Sequence, residues 1–144
     1  MISFNVVGTP VAQGSKRIIP TPNGPRLIET ASNHRTWRTD LHTTAKQHAE
    51  TLDKPLDGPL TLTITFRFPM PQSRPKRVRA AGKAPKTTTP DLDKLIRAVG
   101  DALTEAGLIR DDARITNITA TKIEVADSWT GAQICIEPLQ TGPT

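Results

Sequence analysis

Residues 59–68, PLTLTITFRF, carry the most regular pattern in the sequence and determine its fold class. Apolar residues at positions 60, 62, 64, 66 and 68 alternate with Thr61, Thr63, Thr65 and Arg67. A period of two is typical of a β-strand with one buried and one polar face. The stretch therefore predicts a strand that packs one side against helices or a second sheet.

The sequence on both sides of this strand mixes strand and helix patterns. Residues 2–7 are a short β-rich run, and Asn23-Gly24 lies between two apolar patches, which indicates a hairpin. Two helices are predicted at 33–52 and 93–106, with Gly107 ending the second. The last two strands, 115–125 and 132–137, are predicted to form a hairpin. We expect a single α+β domain over residues 1–144, with a mostly antiparallel sheet and two main helices.

Composition limits the class of protein further. The chain has one cysteine and no run of about 18 apolar residues, so neither a disulfide framework nor a membrane-spanning helix is expected. No secretory signal pattern follows Met1. The expected location is the cytoplasm.

The positive charge of the protein is concentrated between residues 69 and 90. This segment has five prolines and no acidic residue, and its six cations exceed the whole net charge of +5. They are Arg74, Lys76, Arg77, Arg79, Lys83 and Lys86. Because the segment shows no periodicity, we expect a long, mobile loop, and its cations indicate an anionic partner.

Acidic residues follow this segment in the stretch PDLDKLIRAVGDALTEAGLIRDDARI, residues 90–115. Asp91 and Asp93 are two positions apart, so they can present both carboxylates to one side of the helix start. A strand returning antiparallel to the helix would bring Asp112 back beside them. Taken singly, Asp93 is equally explained as a helix cap and Asp111-Asp112 as a solvated turn.

Three carboxylates at one point repel one another unless a cation neutralises them. Oxygen ligands without His or Cys suit Mg²⁺ or Mn²⁺, which also bind substrate phosphates. Beside a cation-rich segment, such a site fits hydrolysis of a phosphodiester. The alternative is a non-catalytic DNA-binding module, in which the acids are structural and the cations alone bind DNA.

The stretch 90–115 also resembles the signature of RusA-type Holliday junction resolvases. The likeness runs through Asp91-Leu92-Asp93, Asp101-Ala102-Leu103, Gly107, Asp111-Asp112 and Lys122, and the opening GTPVAQGSKR, residues 8–17, is similar to the family's N-terminal loop. Asp111 is a weaker candidate beside Asp112. Asp101 matches a recurrent family position within the helix, where a surface acid or an intrahelical ion pair explains it equally well.

The resemblance implies a homodimeric endodeoxyribonuclease that needs Mg²⁺ or Mn²⁺. It implies paired, symmetric nicks in four-way DNA junctions, during recombination and repair in a bacterial or phage-infected cell. Asp91, Asp93 and Asp112 match the metal-binding, catalytic carboxylates. Lys16 and Arg17 match phosphate contacts. A nuclease for other branched DNA, such as flaps or forks, is the remaining alternative.

Two basic positions complete the predicted site. Arg97 stands where the family usually has a catalytic lysine, one turn after Asp93, and Lys94 stands where it commonly has asparagine. Arginine stays charged and can bind a phosphate, but it is a poor proton donor. The structural alternative is that Arg97 forms an i, i+4 ion pair with Asp93. Lys122 matches a recurrent lysine of the following strand and is a candidate catalytic residue; the alternating pattern lets it face either the acids or the solvent.

Overall fold

The computed structural model describes the backbone of residues 1–12, 16–21, 24–29 and 32–139, and the side chains of residues 1–12 and 36–139. It is a small α+β domain with a five-stranded sheet and three helices, as the sequence predicts in outline. The strands are β1 (Ile2–Val7), β2 (Lys16–Thr21), β3 (Gly24–Glu29), β4 (Leu60–Pro69), β5 (Lys83–Pro85), β6 (Ile115–Val125) and β7 (Gly131–Pro138). The helices are α1 (Ser32–Ala49), α2 (Lys76–Ala81) and α3 (Leu92–Glu105), with a 3₁₀ turn at Asp112–Arg114.

The main sheet has the order β1-β7-β4-β6-β5 and is mixed. Neighbouring strands run antiparallel except β4 and β6, which are parallel. β4 occupies the centre because its alternating pattern buries all five of its Leu, Ile and Phe side chains on one face. The expectation of a mostly antiparallel sheet therefore needs one correction, the parallel β4–β6 pair.

The predicted hairpin of β6 and β7 is wrong. The two strands are consecutive in the chain, yet β4 lies between them and pairs with both. The most apolar strand takes the central position, where it has hydrogen-bonded neighbours on both sides.

On the far side of β7, the backbones of β1 and β7 approach so closely at Gly131 that a Cβ there would collide with the Val6 carbonyl.

Helices α1 and α3 cover one face of the sheet. The predicted stripe of α1 is confirmed, since Trp37, Leu41 and Ala45 are all buried. On α3 the buried face consists of Leu95, Ala98, Val99, Ala102 and Leu103. The core thus lies between these two helices and the apolar face of β4.

Helix α3 ends at the predicted glycine. Gly107 has φ +77°, and its N–H donates to the Thr104 carbonyl, while the Leu108 N–H donates to the Leu103 carbonyl. This pair of bonds is a Schellman motif, which needs a left-handed residue at the position of Gly107. The motif turns the chain towards the Asp111-Asp112 turn.

The segment from 69 to 90 has more structure than its composition predicts. It contains α2 and the short strand β5, which pairs with Ile123–Val125 of β6. Pairing with an existing sheet edge supplies order that a periodicity search cannot detect. The rest of that edge of β6, from Ile115 to Thr121, has no strand beside it in the described part of the chain.

The predicted hairpin around Asn23-Gly24 is confirmed for the described residues. β2 and β3 pair antiparallel, with Thr21 opposite Gly24, and form a separate two-stranded sheet. Lys16 and Arg17 begin β2, and their side chains lie outside the described part.

No helix among the described residues is long and apolar enough to cross a membrane.

Candidate active site

Asp91 and Asp93 lie at the start of α3 with exposed carboxylates. Asp91 occupies the N-cap position with an extended backbone, but its side chain makes no capping hydrogen bond. Its nearest cation is Lys94, with Nζ 3.8 Å from Oδ2. Asp93 lies within the first turn rather than at the cap. Neither carboxylate therefore caps the helix, although capping was the structural explanation for an aspartate at this place.

Lys122 fixes the backbone that leads into these acids. Its Nζ donates to the carbonyl oxygens of Thr88 and Pro90, each at 2.8 Å. The Lys122 carbonyl in turn accepts from the Lys86 N–H at 3.1 Å. The ammonium is thus bonded to the peptide groups just before Asp91, and it anchors the backbone that leads into α3.

Asp111 and Asp112 form a tight turn at the other end of α3. The Asp111 carboxylate accepts from the Ala113 N–H at 3.0 Å, so Asp111 caps the 3₁₀ turn. Asp112 packs against α3 where Gly100 has no side chain, and a Cβ on Gly100 would lie 3.6 Å from the Cβ of Asp112. A Cβ at position 100 would therefore make ordinary van der Waals contact with Asp112.

The two neighbouring carboxyl groups influence each other's ionisation. The pKa of Asp112 is raised, first by a hydrogen bond shared with the Asp111 carboxyl, then by burial and by the charges of Asp111 and Asp101. The pKa of Asp111 is lowered, mainly because the Ala113 N–H stabilises its charged form. Asp101 therefore belongs to the surroundings of Asp112.

The described acids do not meet at one point. Gly100, which marks the position of Asp112, lies seven residues after Asp93 on α3, or about 10 Å along the axis. Strand β6 does return towards the helix start, but the residue it brings there is Lys122. Among the described residues, no group of three His, Cys, Asp or Glu side chains could hold a metal ion.

Arg97 is exposed one turn after Asp93. In the described part of the chain no ion pair within 4.0 Å joins it to Asp93, although the i, i+4 spacing permits one. Its guanidinium is therefore available to an external anion such as a DNA phosphate.

The six cations of the 69–90 segment divide into two groups. Three have structural partners: Arg74 pairs with Glu124 at 2.8 Å, Arg79 donates to the Pro71 carbonyl at 2.9 Å, and Lys86 bonds the Thr88 hydroxyl at 2.9 Å. The other three, Lys76, Arg77 and Lys83, are exposed with no ion pair or hydrogen bond to a described residue. The second group is therefore available to an external anion.

Sequence reasoning missed Glu124, which anchors the segment. Its side chain is buried, and in the parallel register it stands beside Phe68 on the apolar face of the sheet. An acid on that face needs a cation, which Arg74 supplies from 50 positions away. Nothing in the sequence signals the burial of Glu124, because Ile123 and Val125 flank it and alternation would place it on the polar face, and nothing signals its partner.

Comparison with known proteins identifies the family. The family described as endodeoxyribonuclease RusA matches residues 8–137 of this chain. The chain belongs to the RusA endodeoxyribonuclease family. A similar protein of Bacillus subtilis strain 168, described as uncharacterized protein YqaN, is 30% identical over 127 residues, which cover 84% of this chain and 86% of the relative. The protein is thus an enzyme of a DNA-cleaving, junction-resolving family.

The positions of the three predicted ligands decide whether one chain can hold the divalent metal expected for a RusA-type enzyme. Asp91 and Asp93 supply the oxygen ligands that Mg²⁺ and Mn²⁺ prefer, exposed and close in sequence. Asp112 lies beside Gly100 instead. The three predicted ligands therefore do not fit one metal ion within a single chain.

Proposed function

We propose that this protein is a homodimeric endodeoxyribonuclease that resolves four-way DNA junctions by paired, symmetric nicks and requires Mg²⁺ or Mn²⁺. One observation carries the proposal: in a RusA-family chain, the exposed carboxylates of Asp91 and Asp93 follow directly after a backbone segment that Lys122 holds in place. Neither carboxylate serves the fold as a cap, so both are available for chemistry.

The chain's own residues divide the work of binding and positioning. Lys76, Arg77 and Lys83 neutralise backbone phosphates, and Arg97 binds a phosphate next to the acids. Lys122 keeps the Thr88–Pro90 backbone, and hence Asp91, in position. A divalent cation is expected because exposed carboxylates would otherwise repel the DNA phosphates they must approach.

The test is cleavage of a labelled synthetic four-way junction, with Mg²⁺, Mn²⁺ or a chelator, by the wild type and by Asp91→Asn. Asp53→Asn is the matched control, because Asp53 is an exposed acid in the connection between α1 and β4. We expect symmetric nicks from the wild type and from Asp53→Asn with metal, and none from Asp91→Asn or with chelator.

Other outcomes would redirect the assignment. Tight junction binding without cleavage in any divalent metal would support a non-catalytic DNA-binding module. Faster cleavage of flaps or forks than of four-way junctions would support a nuclease for other branched DNA.

A further inference from the structure

The turn between β6 and β7, residues 126–130, carries a tryptophan that is not a core residue. Trp129 is half-buried, and among the described residues it neither belongs to the hydrophobic core nor packs against it. The other tryptophan of the chain, Trp37, is 2% exposed and lies within that core. Core packing therefore does not account for an aromatic side chain in this turn.

Arg67 of β4 holds Trp129 in place. Its guanidinium carbon lies over the indole ring, 4.3 Å from the ring centroid. Its Nε donates to the Trp129 carbonyl at 3.0 Å, and its Nη2 donates to the Ser128 hydroxyl at 2.8 Å. The cation attracts the ring, and the two hydrogen bonds also fix the backbone of the turn. The indole therefore has a defined orientation, with one face against a cation of the central strand.

The charge of Arg67 is not neutralised by an acid. In the described part of the chain, no ion pair within 4.0 Å joins its guanidinium to a carboxylate. An unpaired cation beside an aromatic ring favours a ligand that is both flat and anionic. A nucleotide has both features, because its base has two π-faces and its phosphate is negative.

Trp129 lies at the end of the sheet that also carries free cations. The parallel strands β4 and β6 both finish at this end, so the segment after β4 and the turn after β6 emerge side by side. The segment after β4 includes Lys76 and Arg77, and Lys83 pairs opposite Val125, the last residue of β6. DNA phosphates bound by these cations therefore bring bases close to the turn.

The proposed cutting site lies near the same end. Lys122 is three residues before the end of β6, or about 10 Å from it, and it bonds the carbonyls of Thr88 and Pro90. The chain continues from Pro90 directly to Asp91. Trp129 is therefore near the acids at the start of α3 but not among them, which suits a residue that binds the substrate rather than one that cuts it.

We propose that Trp129, held in place by Arg67, stacks on an unstacked nucleobase at the branch point of DNA. The proposal rests on the branched-DNA function above. In a continuous duplex every interior base is stacked on both faces, whereas strand exchange at a junction interrupts the stack and leaves base faces available. Trp129 thus favours branched over linear DNA without reading the base sequence, because every base has a π-face.

Binding is measured with the whole chain in a chelator, which stops metal-dependent cleavage. Fluorescence anisotropy gives the Kd for a labelled four-way junction and for a linear duplex with the same number of base pairs. Trp129→Leu keeps an apolar side chain but has no aromatic face, so we expect about tenfold weaker junction binding and less than about twofold weaker duplex binding. Trp129→Phe keeps a ring and should stay within about threefold of the wild type.

Val7→Ala is the matched control, because Val7 is 68% exposed and pairs opposite Gly131 at the same end of the sheet. It removes apolar surface without removing a ring, so both Kd values should stay unchanged. The log–log salt slope of Trp129→Leu should match the wild type, since no phosphate contact is lost. Equal weakening for junction and duplex in Trp129→Leu, or no weakening, would overturn the proposal.

Intrinsic fluorescence tests the stacking in the wild type itself, so it does not depend on how well the Trp129→Leu variant folds. Trp129→Phe leaves the buried Trp37 as the only tryptophan, and the difference between the two emission spectra belongs to Trp129. Stacking on a base quenches indole emission. We expect saturating junction to quench Trp129 and the linear duplex to leave it unchanged; an unquenched Trp129 in the junction complex would contradict the stacking.

Failure of the stacking and failure of the proposed function give different results. A quenched Trp129 in a protein that cuts no junction with Mg²⁺ or Mn²⁺ would refute the nuclease function and leave the stacking in place. Metal-dependent nicking with an unquenched Trp129 would overturn the stacking and leave the nuclease function in place.

Discussion

Lys122 is a positioning residue, because its ammonium bonds the Thr88 and Pro90 carbonyls rather than a carboxylate. Replacing it with methionine keeps most of the length of the side chain and removes both hydrogen bonds, which stabilise the fold by about 1–2 kcal/mol. We expect Lys122→Met to lower kcat for junction cleavage at least about tenfold, with little change in the Kd for the junction.

Two comparisons separate positioning from general loss of stability. Lys122→Arg retains a cationic donor and should recover part of the kcat. Lys46→Met changes an exposed lysine of α1 and should leave cleavage and melting temperature unchanged. An unchanged kcat in Lys122→Met would contradict the positioning role.

At this scale the sequence predicted the identity of the exposed acids better than their arrangement. The spacing of Asp91 and Asp93 follows from local geometry, so their placement at the helix start was accessible. The place of Asp112 depends on where β6 pairs and on how the Asp111-Asp112 turn packs against Gly100 of α3, which are tertiary facts. The roles of Lys122 and Glu124 depend on partners more than 30 positions away.

The turn between α3 and β6 is attached to the chain before β4 by Asp57. Its carboxylate accepts from the Gly58 N–H and pairs with Arg114 at 2.7 Å and Arg110 at 3.5 Å, and these partners hold the pKa of Asp57 below its ordinary value of 3.8. A lowered folded-state pKa adds stability above the ordinary value, and that stability is lost as the pH falls through the lowered pKa.

We therefore expect Asp57→Asn to reduce the melting temperature at pH 7 and to have a shrinking effect below pH 3.8. Thermal unfolding of both proteins between neutral and acidic pH measures the difference. The matched control is Asp53→Asn, an exposed acid with no ion pair to a described residue, which should show no such trend. A difference that stays constant as the pH falls would exclude the ion pairs as its source.

Among the elements, those with local patterns were predictable and those defined by pairing were not. β4 and α3 were found within one or two residues because alternation and a helical stripe are readable in a short window. β5 and α2 were missed because their order comes from β6 and from the Arg74–Glu124 ion pair. The false β6–β7 hairpin arose because strands close in sequence were assumed to be neighbours in space.

For the whole molecule, the net charge of +5 overstates the charge available to DNA. Lys76→Met with Lys83→Met removes two free cations, and Arg74→Met with Arg79→Met removes two that hold the segment together. The first double variant should make the salt dependence of junction binding shallower by about 2 in log–log slope, because each phosphate contact contributes roughly 0.9.

The second double variant should instead unfold at lower temperature, because the buried Glu124 loses its cation at a cost of about 2 kcal/mol. Its salt slope at a temperature where it is folded should match the wild type. Fluorescence anisotropy across a salt series, with thermal melts of the same samples, measures both quantities. Equal slopes for the two variants would refute the division of the cations.

The place of β7 between β1 and β4 has a consequence for synthesis. Of the described strands β1 is synthesised first, but its only partner in the described sheet is β7, more than 120 positions later. Residues 2–7 must therefore stay without a strand partner until residues 131–138 have been synthesised. β1 is expected to join the sheet no earlier than β7, although β4 and β6 precede β7 in the chain.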